Sequence, residues 1–303
     1  MISKRILVPV NFGAQSDAAL KYAIKMSAAV NGIITCLHVN EEPDYITGQF
    51  LTKEISDRIR RSAEDTLSAK ANEILNDHNS IPYEVIVTRG NVHRKVREKA
   101  IDLNASFIIM AKSDSADTAD YELGSNTLSV ITKAEIPVLT VNSTKHLGYD
   151  RILLPLDLLK PVELKLLKAI ELAKMFDVEV SVFTVMRTDW ISLKPKYQKR
   201  LKEIQQLFNA EGVKCSIHLK VSEDSIPEEI LQQARKMNTG MIMMMTQQEK
   251  EITDFFIGST VYHIINESEF PVLSIIPNVS TEKTSNTSAW SDILNPITLF
   301  QMH

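Results

Sequence analysis

The chain has 303 residues, 44% of them hydrophobic and 24% charged, and a net charge of −4. That balance is ordinary for a soluble globular protein, and it gives no general attraction to nucleic acid or anionic lipid. No apolar run approaches the roughly 20 residues needed to span a bilayer, and about 150 residues per domain predicts two domains, each with its own core.

Met1 to Val10 lacks the long apolar region and cleavage site of a secretory signal, so the expected location is the cytoplasm. A first strand near 4–10 leads to a helix whose Leu20, Ala23, Ile24, Ser27 and Val30 share one face. A strand near 33–39 follows, then a polar stretch from Glu41 to Phe50 and a long helix. Strands near 82–88, 106–110 and 137–141 alternate with two more helices. Asn142 to Tyr149 is a short polar linker. The same order then returns, with strands near 150–156, 178–185, 213–220, 240–245 and 271–276. Residues 278–288 are rich in Ser, Thr and Asn and read as a tether. Trp290 to Phe300 is apolar again, and either docks or frays. The expected domains are therefore 1–141 and 150–277, with a tail at 278–303. Cys36 and Cys215 each fall in a strand and are expected to be free buried thiols, which suits a reducing compartment.

The recurrence is residue by residue. Ile6-Leu7-Val8-Pro9 matches Ile152-Leu153-Leu154-Pro155, and the helix face that follows matches Leu166, Ala169, Ile170, Ala173 and Phe176. Further on, Val92, Val96, Ala100 and Leu103 match Ile226, Ile230, Ala234 and Met237. Gly124-Ser125 matches Gly258-Ser259, and Pro137-Val138-Leu139 matches Pro271-Val272-Leu273. The second copy is shorter only in its middle. Continuous apolar runs such as Phe107-Ile108-Ile109-Met110 and Met241-Ile242-Met243-Met244 suit strands buried on both faces of a parallel sheet, and the methionines suit core packing. Each copy is thus predicted to be a doubly wound five-stranded parallel α/β domain.

Ligands of such sheets bind at the carboxyl ends of the strands, where strand order reverses. The exit of the first strand reads Pro9-Val10-Asn11 in one copy and Pro155-Leu156-Asp157 in the other. A side chain there binds a ribose hydroxyl or caps the next helix. The helices that start at Gly124-Ser125-Asn126 and Gly258-Ser259-Thr260 present backbone N–H groups to an anion, or are plainly capped.

With these motifs in order, the chain resembles the universal stress protein family, twice, over everything but linker and tail. The resemblance implies a Rossmann-like, adenine nucleotide alpha hydrolase-like fold. Members that bind ATP carry Gly-x-x-Gly, nine residues, then Gly-Ser/Thr. Here the two glycine positions hold Ala111 and Asp114 in the first copy, and Met245 and Gln248 in the second. Asp114 sets a negative charge where phosphates would lie, a repulsion on the order of 1–4 kcal/mol at about 4 Å. Asn11 stands where the family has an acid, whereas Asp157 keeps it. Val39 and Val185 stand where the family's backbone meets adenine.

The expectation is a non-catalytic, stress-response or signalling protein with degenerate ATP motifs and no firm cofactor. ATP or AMP would be held weakly, and the second copy, which keeps Asp157, is open to a weak adenosine or monophosphate site. A slow ATPase and a binding module for another small molecule are the alternatives. The resemblance also implies pseudo-twofold pairing of the two domains through the strands at 137–141 and 271–275, and a homodimer of chains as a further option. No metal-ligand spacing occurs among the histidines and cysteines. The basic runs His93, Arg94, Lys95, Arg97, Lys99 and Lys53, Arg58, Arg60, Arg61 are solvated helix faces, or the surface for an acidic partner.

Overall fold

A computed structural model describes residues 4–41, 52–75, 81–112, 123–142, 150–246 and 258–276. Most of the linker, the whole tail, Asp114 and Gln248 lie outside the described residues. The chain divides into two compact units that part chiefly between Leu147 and Gly148, with Ser274–Ile276 grouped with the first.

The first unit runs β1 (Arg5–Pro9), α1 (Ala14–Val30), β2 (Ile33–Asn40), α2 (Lys53–Leu75), β3 (Tyr83–Arg89), α3 (Val92–Asp102), β4 (Phe107–Ala111), α4 (Ser125–Lys133) and β5 (Val138–Val141). Its strands lie in the order β3-β2-β1-β4-β5, and the neighbouring pairs are parallel. Order therefore reverses between β1 and β4. α1 packs with α2, and α3 packs with α4, as right-handed crossovers on the two faces of one sheet require. The central strands are sealed: Ile6, Leu7, Val8, Ile108 and Ile109 are all buried. β3, at the margin of this order, is half-buried along nearly its whole length.

The second unit repeats the plan with β6 (Arg151–Pro155), α5 (Glu163–Phe176), β7 (Glu179–Met186), α6 (Lys194–Ala210), β8 (Cys215–Val221), α7 (Ile226–Met237), β9 (Met241–Met245), α8 (Ser259–Glu267) and β10 (Val272–Ile275). A 3₁₀ turn at Thr188–Leu193 feeds α6 directly, in place of the longer connection of the first unit. Strand order is β8-β7-β6-β9-β10. Register is copied too: Ile6 faces Phe107 and Leu7 faces Ile108, as Ile152 faces Met241 and Leu153 faces Ile242.

Duplication extends to backbone exceptions. α1 and α5 both end on left-handed residues, Asn31 (φ 52°) and Asp177 (φ 52°). Asn104 (φ 49°), just after α3, and Asn238 (φ 46°), capping α7, form the matching pair. Asn and Asp tolerate this conformation better than other side-chain-bearing residues, which makes them ready substitutes for glycine at a helix end. The five-residue methionine-rich strand β9 is wholly buried, as core packing requires. Cys36 is buried, but Cys215 is only half-buried, as is every residue of β8, which lies at the margin of its strand order.

Candidate functional site

In the first unit the carboxyl ends of β1, β2 and β4 border a half-open cavity of about 180 Å³. Pro9 and Asn11 supply the wall from β1, and His38 and Val39 supply it from β2. Met110 and Ala111 come from β4, while Asn126 and Thr127 come from the first turn of α4. This is the strand-order reversal at which open parallel sheets take ligands. Five candidate positions, Pro9, Asn11, Val39, Ala111 and Asn126, are thus brought to one space. Gly124 and Ser125 begin the helix that borders it.

Local bonding fixes this geometry. The Thr127 hydroxyl donates to the Ala111 carbonyl at 3.2 Å, and the Gly124 N–H donates to the Lys112 carbonyl at 3.1 Å. Strand end and helix start are therefore tied together. α4 starts without a side-chain cap, and so does α8, with identical angles at Gly124 and Gly258 (φ −58°, ψ 144°). A Cβ added at Gly258 would meet nothing within 4 Å. Neither backbone nor packing in the described residues demands glycine there.

Of the two roles open to Asn11 and Asp157, capping of the next helix is not what the structure shows. α1 is preceded by Gly13 and α5 by Val162, neither with a side-chain cap bond. Asn11 Oδ1 instead accepts from the Gly13 N–H at 3.1 Å and from the Ser16 hydroxyl, whose oxygen accepts in turn from the Asn11 N–H at 3.1 Å. Asp157 Oδ1 accepts from the Leu159 N–H at 3.0 Å. Both act as turn residues, each accepting from the N–H two residues on, and Asn11 also holds the Ser16 hydroxyl inside α1. In this role Asn11 spends its one acceptor oxygen and leaves its amide N–H₂ over.

Residues that sequence reasoning passed over complete the first site. His38 Nδ1 lies 2.8 Å from the Val10 carbonyl, which only accepts, so Nδ1 carries the proton. Its Nε2 lies 3.0 Å from Asn40 Oδ1. The ring packs on Phe12, with centroids 4.2 Å apart. Phe12 has φ 67°, an outlier for a bulky residue that costs on the order of 1–3 kcal/mol. No pattern of hydrophobicity announces such a conformation.

In the second unit Val185 lies on β7 and Met245 ends β9, where Met245 is buried. Ser259 and Thr260 open α8. The unexpected group is Lys165 in the first turn of α5, only 6% exposed. It occupies the position of the buried Ala19 in the first copy. Burial pushes its pKa down to about 8, opposed by attraction to Asp157 and reinforced by Lys160. The Tyr197 hydroxyl is pushed up to about 12, by burial first and then by the Asp157 charge. Lys165 and Tyr197 therefore each sense the Asp157 charge. The signal was a charge inside an apolar helix face.

The thiols of Cys36 and Cys215 are each pushed up to about 12 by burial, which makes them poor nucleophiles. Among the described residues no group of three His, Cys, Asp or Glu is placed to hold a metal, and no helix is long and apolar enough to cross a membrane. The basic face of α3 is largely self-paired: Arg94 and Lys95 meet Glu98, and Lys99 meets Asp102. On α2, Arg60 pairs with Glu64 at 2.7 Å.

The sequence profile of the universal stress protein family matches residues 3–142 and again residues 148–275. Among solved structures, a universal stress protein from Archaeoglobus fulgidus DSM 4304 is similar at 22% identity with a TM-score of 0.69, covering 90% of this chain and 96% of that one. A functionally unknown protein from Pseudomonas aeruginosa PAO1 is similar at 16% identity with a TM-score of 0.64, covering 91% and 93%. No curated protein matches the chain.

Proposed function

Since the chain belongs to the universal stress protein family, with one family domain in each half, we propose that it is a non-catalytic stress-response or signalling protein whose first domain takes adenosine or AMP loosely and whose ATP motifs are degenerate. The observation that carries this reading is the cavity at the ends of β1, β2 and β4. Backbone at Val39 is available to an adenine edge whatever the side chain. The phosphate end is poorer, with Ala111 and Asp114 in place of glycines. A triphosphate would meet the Asp114 charge, and an adenosine would not. This moves the weak nucleoside site from the second domain, which Asp157 left open to it, to the first. In the second, the methionine that replaces glycine is packed in the core at the strand exit.

We place the protein in the cytoplasm, in keeping with two unpaired cysteines. Pseudo-twofold pairing of the two domains, and a homodimer of chains, belong to the same proposal and rest on the duplication alone.

Isothermal titration of the full chain with adenosine, AMP and ATP tests the reading. Adenosine and AMP are expected to bind with Kd of roughly 0.1–1 mM, and ATP no more tightly. A micromolar Kd for ATP would show that the motifs work and would overturn it.

A further inference from the structure

Single apolar residues on a surface are ordinary, but a contiguous set of them marks a contact. Among the described residues of the second unit, the large apolar side chains that stand exposed are Ile191 (53%), Ile226 (43%) and Tyr262 (37%). All three belong to segments that follow the carboxyl ends of strands. Ile191 lies in the 3₁₀ turn after β7, Ile226 is the first residue of α7 after β8, and Tyr262 is in the first turn of α8 after β9. Bonds hold these segments side by side. The Ser222 N–H donates to the Met186 carbonyl at 3.0 Å, Arg187 donates to the Glu223 carbonyl at 3.1 Å, and the Thr188 hydroxyl donates to a Glu223 carboxylate oxygen at 2.5 Å. The 3₁₀ turn is thereby tied to the start of α7. The start of α7 is tied in turn to α8, where Glu228 meets His263 at 3.2 Å.

The chain itself supplies an occupant. The Ile242 N–H bonds the Pro271 carbonyl as the Ile108 N–H bonds the Pro137 carbonyl, so β10 runs as β5 does. The chain therefore leaves β10 at the carboxyl end of the sheet, the end at which the patch lies. Residues 278–288 are the tether rich in Ser, Thr and Asn. Trp290 comes about 14 residues after Ile276, a flexible reach of roughly 20 Å, against a radius of gyration of about 14 Å for a domain of this size. The stretch that follows holds Trp290, Ile293, Leu294, Ile297, Leu299 and Phe300, with Asp292 its one charge. Such a stretch gains by leaving water. Its tether keeps it at roughly millimolar effective concentration near its own domain, well above a second copy in dilute solution.

We propose that the segment Trp290 to Phe300 docks across Ile191, Ile226 and Tyr262, so that the chain's own tail covers the carboxyl end of the second domain. The patch lies in a different domain from the nucleoside cavity, and its failure leaves that reading standing.

The test uses the full chain with p-benzoylphenylalanine in place of Trp290, irradiated in dilute solution and mapped by mass spectrometry. Crosslinks within one chain to residues 188–193, 225–228 or 259–263 are expected. Their absence, crosslinks between chains, or crosslinks to α2, where Ile55 and Ile59 are also exposed, overturn the proposal. A second measurement leaves the tail as it is. The chain has two tryptophans, so Trp190→Phe leaves Trp290 as the reporter. Iodide is expected to quench it several-fold less than it quenches a free peptide of residues 278–303. Adding Ile191→Asp and Ile226→Asp is expected to restore the quenching of the peptide. Both side chains are exposed, so the new charges leave the core intact. Quenching equal to that of the peptide in the Trp190→Phe chain, shielding that survives both aspartates, or shielding lost on dilution overturns the proposal.

Discussion

Replacing Lys165 by methionine is expected to stabilise the second domain at neutral pH. Methionine keeps the length of the side chain and removes the buried charge. The folded-state pKa of Lys165 falls from 10.5 to about 8. Each tenfold change in a protonation equilibrium corresponds to about 1.4 kcal/mol, so the charge costs on the order of 3 kcal/mol. The sign follows from proton counting. Below about pH 8 both folded and unfolded lysine are protonated, and the full penalty is present. Between about pH 8 and 10.5 the unfolded chain binds the extra proton, so stability rises with pH and the penalty is relieved. In Lys165→Met that rise is absent. Thermal unfolding at pH 7 should show the second domain's transition about 6–12 °C higher in the variant, from about 2–4 °C per kcal/mol for domains of this size. The gap should narrow toward pH 10. A variant that is less stable at pH 7, or a gap independent of pH, would refute the reasoning. Either result would mean that the amine is satisfied in the folded protein.

Asn11→Asp frees one carboxylate oxygen toward a ribose hydroxyl while the other keeps the bonds from Gly13 and Ser16. A hydrogen bond to a charged acceptor contributes about 1.5–3 kcal/mol, so calorimetry should find adenosine bound at least tenfold more tightly, with no matching gain for 2′,3′-dideoxyadenosine. Glu229 is 2% exposed, with Lys220 Nζ at 2.5 Å and the Ser222 hydroxyl at 2.6 Å. Burial raises its pKa, and the Lys220 and Ser222 bonds outweigh that and lower it below 4.5. Its stabilisation is thus present above about pH 4.5 and is lost as pH falls through the lower folded value. Glu229→Ala should cost about 1–3 kcal/mol in urea unfolding at pH 7 and less at pH 3. Phe12→Gly relieves the left-handed strain but loses the contact with His38. It should change stability by less than about 1 kcal/mol while altering adenosine affinity, because His38 lines the cavity.

Strands, helices and their doubling were legible because they follow from the spacing of apolar residues. Ile6-Leu7-Val8 and Ile152-Leu153-Leu154 mark sealed central strands in any numbering of the loops. The left-handed pairs Asn31/Asp177 and Asn104/Asn238 show the same doubling in backbone angles. The site was legible only as a place. Pro9, Asn11, Val39, Ala111 and Asn126 meet because topology brings strand ends together, and topology is readable. What each side chain does there is decided by turns of a few residues. Asn11 and Asp157 look like helix caps by type, but their side chains accept from the N–H two residues on instead. His38, Phe12 and Lys165 were missed because their roles come from single contacts rather than from any period. Lys165 alone left a trace, a charge at the place of Ala19.

The central claim is that the first domain holds a nucleoside and that the chain does not grip a triphosphate. Diffraction from crystals soaked in a mixture of AMP and ATP tests it most directly. The account predicts an adenine ring beside Val39 in the first domain, with no ordered triphosphate beyond Ala111. A complete triphosphate ordered along the start of α4 or α8 would contradict it.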